Sequence, residues 1–144
     1  MQHIILTIAL FFSTLFFGQT KVNENNFEGN KITVSVVNVL NDNGNIHFAF
    51  HNENTFMKAT PLYAKSSTIE NGICTVVFEN IPEGEYAILC FHDENKNGRM
   101  DFDERGIPIE SYGTSNNVMN FGPPQFESAK FEVFGKNIKL EIRF

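Results

Sequence analysis

The chain contains no tryptophan and no cluster of basic residues, and among its 144 residues only two are cysteine and five are proline. Without Trp, a strong carbohydrate-stacking platform is poorly supported. Without a basic patch, and with a net charge of −6, nucleic acid and anionic lipid are unfavourable partners. No apolar run is long enough to cross a bilayer comfortably, since Ile4 to Phe17 offers fourteen residues against the roughly 20 that a membrane helix requires. No internal repeat and no convincing amphipathic helix occur. The one His-x-x-x-His spacing, His47 to His51, falls on a strand-like run that holds the two residues about 13 Å apart, which leaves a zinc centre poorly supported. No Gly-x-Ser-x-Gly surrounds Ser111 or Ser115, so a serine nucleophile has no elbow to sit on.

The apolar run at the start reads as an export signal over residues 1–19, although Met1-Gln2-His3 lacks the usual basic residues. No cysteine follows it closely, which argues against a lipid anchor. Residues 20–30 form a polar lead, and residues 31–144 suit a single domain with one core. Every Lys, Arg, Asp and Glu lies beyond Thr20, so the exported part keeps the whole charge. The expected location is periplasmic or extracellular, with no membrane span once the signal is removed. In such an oxidising compartment Cys74 and Cys90 have two readings: a disulfide, or two thiols packed in strand-like apolar runs.

Alternation marks the strands. Ile32, Val34 and Val36 share one parity, and Ile46, Phe48 and Phe50 share another after the turn cluster Asn41 to Asn45; a hairpin fits both runs. Cys74, Val76 and Phe78 alternate next, followed by an Asn80-Ile81-Pro82-Glu83-Gly84 turn and then Tyr86, Ile88 and Cys90. A further pair, residues 129–134 and 138–144, reads as a terminal hairpin with one wet face. Asn52 to Lys65 reads as a loop with a short edge strand. Together these predict an all-β antiparallel sandwich of about seven strands with one long irregular loop, residues 92–126. Loops of that length are uncommon unless functional or disordered.

The chemistry concentrates in that loop. Residues 93–104 read Asp-Glu-Asn-Lys-Asn-Gly-Arg-Met-Asp-Phe-Asp-Glu and fit a twelve-residue calcium loop. Five of the seventeen acidic residues fall within it. Asp93, Asn95 and Asn97 would turn alternate oxygens inward, Gly98 would permit the sharp turn, and Arg99 would offer its main-chain carbonyl. Asp101 would bind directly or through water, Glu104 would close the shell, and Met100 would face inward as an apolar anchor. The flanks are a strand and a Gly-Ile-Pro segment rather than two helices, so regulatory opening is not implied. Calcium fits better than magnesium, which prefers a small octahedron and keeps its waters. The other reading is a solvated Asx-rich turn without metal. His92 beside Asp93 reads as a surface or supporting histidine, on a parity opposing that of Cys90. His47 points outward, and His51 lies just past its strand. Tyr112, Phe121 and Phe126, with Pro123 and Pro124, either floor a groove for a protein or glycan or pin the long loop to the sandwich.

Ile81-Pro82-Glu83-Gly84-Glu85-Tyr86-Ala87-Ile88, His92-Asp93-Glu94-Asn95-Lys96-Asn97-Gly98, Asp101, Gly106-Ile107-Pro108-Ile109-Glu110, Tyr112-Gly113, Ser115-Asn116-Asn117, Gly122-Pro123-Pro124 and Phe126, in that order, resemble the secreted bacterial family called domain of unknown function 2141 (DUF2141). The resemblance implies an exported β-sandwich similar to transthyretin-like or carboxypeptidase-regulatory-like modules, with no activity assigned. It also implies that Asp101 is a direct ligand. Because the family pattern has no regular acid at the position of Glu104, Asp103 or Glu110 becomes an alternative for the last carboxylate. The functional expectation is a non-catalytic, calcium-stabilised binding or structural module of the envelope. The alternative is a metal-dependent hydrolase using the acidic loop and His92.

Overall fold

A computed structural model describes residues 29–119 and 122–144; the expected signal segment 1–19 and Phe121 lie outside the described residues. Eight strands occur among them: β1 (Asn30–Val37), β2 (Asn45–His51), β3 (Tyr63–Ser67), β4 (Cys74–Ile81), β5 (Gly84–Asp93), β6 (Tyr112–Thr114), β7 (Phe131–Val133) and β8 (Ile138–Arg143). A 3-10 turn covers Ser115–Asn117, and one short helix, α1, covers Phe126–Ala129. The strands form two sheets. One runs β4-β1-β8, and the other runs β3-β2-β5-β6 with β7 paired to the start of β5. The β-sandwich architecture is therefore as the alternation indicates, and the edge strand expected before Lys65 is β3.

The strand pairing differs from expectation at each turn. β1 and β2 do not form a hairpin but lie in opposite sheets, and the same holds for β4 and β5. The terminal pair is also separated, β7 joining β5 while β8 runs parallel to β1. Local backbone conformation explains the redirection. Asn38, at φ 56°, ends β1, and Asn80, at φ 57°, with Gly84, at φ 154°, carries the chain across the sandwich through Pro82 and Glu83. In each case the two apolar faces meet across the core instead of lying side by side. Alternation is the same in both arrangements, so it leaves the pairing open.

Between the sheets lie Ile32, Val34, Val36, Ile46, Phe48, Phe50, Cys74, Val76, Phe78, Tyr86, Ile88, Cys90, Val133 and Ile142. Cys74 and Cys90 are free thiols here, each donating to a carbonyl at 3.5 Å, on Ser67 and Gly113 respectively. A second, smaller apolar layer covers the outer face of β5, where Phe56, Ala87 and Ala129 pack with Leu89 and Phe126. The buried Ser115 hydroxyl ties the two layers, donating to the Ala129 carbonyl and accepting from the Ile88 N–H. Phe126 thus pins the long loop, one of the two roles its sequence context left open.

Candidate functional site

Among the described residues β5 is the longest strand, and it carries the chain from the core into the acidic loop. Its last turn-facing residues are fixed by β2, with Asn45 opposite Asp93 and His47 opposite Phe91. His92 is buried, not a surface histidine, because residues 90 and 92 of one strand share a face. Its Nε2 lies 2.6 Å from the Asn43 carbonyl, which ties the β1–β2 turn to the root of the loop. His47 stacks on Phe91 with ring centroids 5.0 Å apart, and its Nε2 is 3.0 Å from Asp93 Oδ2.

Asp93 is 1% exposed. Burial pushes its carboxyl up, but the N–H groups of Gly98 and Asn97 and the His47 ring outweigh this and hold it below the usual range. Oδ1 accepts from Asn97 N–H at 3.0 Å and Oδ2 from Gly98 N–H at 2.8 Å. Asn95 Oδ1 also accepts from Asn97 N–H at 3.0 Å, and Asn97 Oδ1 accepts from Arg99 N–H at 3.0 Å. The alternate side chains of the loop thus fold back over its own main chain. The Asn95 and Asn97 amides both donate to the Asp101 carboxylate, at 2.6 Å and at 2.8–3.0 Å. Asp93, Asn95, Asn97 and Asp101 form one hydrogen-bonded knot.

Beyond Asp101 the chain makes a small hairpin. Ile109 N–H donates to the Asp101 carbonyl, Phe102 bridges Pro108, and Asp103 N–H donates to the Ile107 carbonyl. Asp103 is committed to the tip: Oδ1 accepts from the N–H groups of Arg105 and Ile107, and the Arg105 guanidinium holds Oδ2 at 3.0 Å. The exposed Glu104 stands in the same tip and makes no hydrogen bond or ion pair among the described residues. Glu110 instead returns to the knot, buried, accepting from Glu94 N–H at 3.2 Å and from Asp101 N–H at 3.1 Å. The Arg99 side chain is exposed, with Nε 3.9 Å from Asp101 Oδ1. Among the described residues no group of three or more His, Cys, Asp or Glu side chains stands close enough to hold a metal ion. A cation at the knot would have to take amide and main-chain oxygens as well, which suits a hard ion.

Beside the knot an apolar groove of about 610 Å³ opens on the outer face of β5. Leu89 and Phe91 form its floor. Met100, Phe102, Ile107 and Pro108 form one wall, and Tyr112, Pro123, Pro124 and Met57 complete it. Met100 thus faces this groove, one residue from Asp101. The loop that carries the oxygens also builds the wall. Met57, Leu89 and Phe91 escaped the sequence reading because they come from elsewhere in the chain, although the outward parity of Leu89 and Phe91 on a strand with a buried opposite face was a usable signal.

These features define an all-β two-sheet domain with an ordered acidic loop and an adjoining apolar groove. The chain belongs to the family described as uncharacterized protein conserved in bacteria (DUF2141), whose model matches residues 34–141. No curated protein and no solved structure matches it. No helix among the described residues is long and apolar enough to cross a membrane.

Proposed function

We propose that this is an exported, non-catalytic module in which a calcium ion at the loop stiffens residues 92–126 and so shapes the groove for a protein or glycan ligand. Export includes removal of residues 1–19, leaving the polar lead 20–30 and the sandwich of residues 31–144. The observation that carries the reading is the hydrogen-bonded cluster of Asp93, Asn95, Asn97 and Asp101 in the loop that also supplies the groove wall. The ligands are these four side chains and the Arg99 carbonyl, and the last carboxylate is Glu110 rather than Glu104, since Glu110 is the one folded back onto Asp101 N–H. Few carboxylates among mixed oxygens correspond to an affinity of roughly 10⁻⁴ to 10⁻³ M, as in extracellular modules. The hydrolase alternative loses support from His92, whose buried ring is engaged through Nε2 with a main-chain carbonyl and has Nδ1 3.7 Å from the Glu94 carboxylate.

The test is calorimetric titration of calcium into the chelator-stripped chain and into Asp93→Ala, Glu104→Ala and Glu110→Gln variants. Binding abolished by Asp93→Ala, weakened by Glu110→Gln and retained by Glu104→Ala is expected. Absence of heat and of any thermal shift at millimolar calcium would sink the reading, and loss of binding in Glu104→Ala with none in Glu110→Gln would return the last ligand to Glu104.

A further inference from the structure

The sequence holds three Asn-Gly pairs, Asn43-Gly44, Asn71-Gly72 and Asn97-Gly98. Their asparagines are all exposed, and their glycines share nearly one backbone conformation, with φ of 72°, 74° and 79°. They differ in the glycine N–H. Gly72 N–H donates to Asp42 Oδ1 and Gly98 N–H donates to Asp93 Oδ2, each at 2.8 Å. Gly44 N–H has no hydrogen-bond partner among the described residues.

We infer that Asn43 is a site of spontaneous conversion to aspartate and isoaspartate, while Asn71 and Asn97 are shielded by the carboxylates that hold the next N–H. In this reaction the Gly44 nitrogen loses its proton and attacks Asn43 Cγ. The new C–N bond closes a five-membered imide as the Cγ–Nδ2 bond breaks and ammonia leaves. Water then opens the imide at either carbonyl. In sum, one amide and one water give one carboxylic acid and one ammonia, and the chain gains one negative charge. A carboxylate already accepting the glycine N–H opposes this step twice: it keeps the nitrogen turned away from Cγ, and its charge disfavours the deprotonated amide.

The location gives the conversion a structural effect. The Asn43 carbonyl holds His92, and Gly44 packs so closely that a Cβ there would fall 1.9 Å from the Asp93 main-chain oxygen. The isoaspartate form inserts a methylene into the main chain at this contact and adds a carboxylate beside Asp42. The root of the acidic loop is therefore the region that loosens.

Peptide mapping by mass spectrometry of the full chain, incubated in mildly alkaline buffer, tests the inference, with isoaspartate read by enzymatic methylation. Asn43 is expected to convert about tenfold or more faster than Asn71 and Asn97, the factor that a hydrogen bond to a charged group supplies. In denaturant the three rates should converge, and Asp42→Ala should accelerate conversion at Asn71. Equal native rates, or the same order persisting in denaturant, would overturn the assignment. So would an Asn71 rate unmoved by Asp42→Ala in a folded variant.

Discussion

Phe48 sits in the middle of β2, 1% exposed and opposite Cys90 of β5, with core side chains of the other sheet against it. Truncation to Ala leaves a cavity the rigid sandwich cannot close, so Phe48→Ala should cost about 3–5 kcal/mol in urea denaturation, whereas Lys139→Ala on the exposed face of β8 should stay within about 0.5 kcal/mol. The two thiols permit a second expectation. Burial pushes both Cys74 and Cys90 upward from the ordinary thiol range, so neither offers thiolate near neutral pH. An alkylating reagent should leave both unmodified in the native protein and label both in denaturant; one labelled or neither labelled after unfolding would contradict the free, buried pair. At this scale the sequence was highly legible, because period-two alternation assigns inward and outward positions one by one, as for Ile32, Val34 and Val36. His92 shows where it failed. Residues 90 and 92 lie on the same face, and the carbonyl that satisfies the buried ring comes from Asn43, a partner no local pattern announces.

Strand partners depend on contacts that alternation does not encode. The two residues between β4 and β5, Pro82 and Glu83, resemble a hairpin connection, yet Asn80 and Gly84 on either side adopt positive φ and send the chain to the opposite sheet. β1 and β2 separate in the same way, which leaves both sheets with free edges that need protection. Lys65 of β3 supplies one such device: its ammonium donates to the Val77 carbonyl on the free edge of β4 and lies over the Phe78 ring. Lys65→Ala removes this charged plug from the edge and leaves every core side chain in place. The variant should keep nearly the parental stability yet self-associate at concentrations where the parent is monodisperse, as read by sedimentation velocity. Unchanged sedimentation would mean that strand length and twist alone protect the edge. Asn117 does similar work on β8, its amide accepting from Arg143 N–H and donating to the Glu141 carbonyl, both at 2.8 Å.

For the molecule as a whole, acid and the proposed calcium ion should act on the same balance of stability. His51 is pulled below its ordinary value of 6.5, because burial disfavours the charged ring more than its bond to Thr55 favours it. The folded state therefore binds a proton less readily than the unfolded chain. Its contribution is fully present above pH 6.5 and is lost as pH falls through the lowered value. Asp93 has the same sign at lower pH, its contribution present above 3.8 and lost as the carboxyl protonates. A melting temperature followed downward from neutral pH should fall in two steps, and His51→Gln should flatten the first without altering the second. Under the proposed function, calcium adds a mass-action term. At the proposed dissociation constant of roughly 10⁻⁴ to 10⁻³ M, millimolar calcium should stabilise the folded state by about 0.4–1.4 kcal/mol. For a domain of this size that corresponds to a rise of about 2–6 °C in melting temperature. The increment should vanish with chelator and with Asp93→Ala, and should shrink as acid protonates Asp93. Protease digestion supplies the spatial half of the test: cleavage within residues 92–126 should accelerate on chelation while the strands remain intact. A calcium increment equal in Asp93→Ala and the parent would place the ion elsewhere, and an unchanged cleavage pattern would separate ion binding from the order of the groove wall.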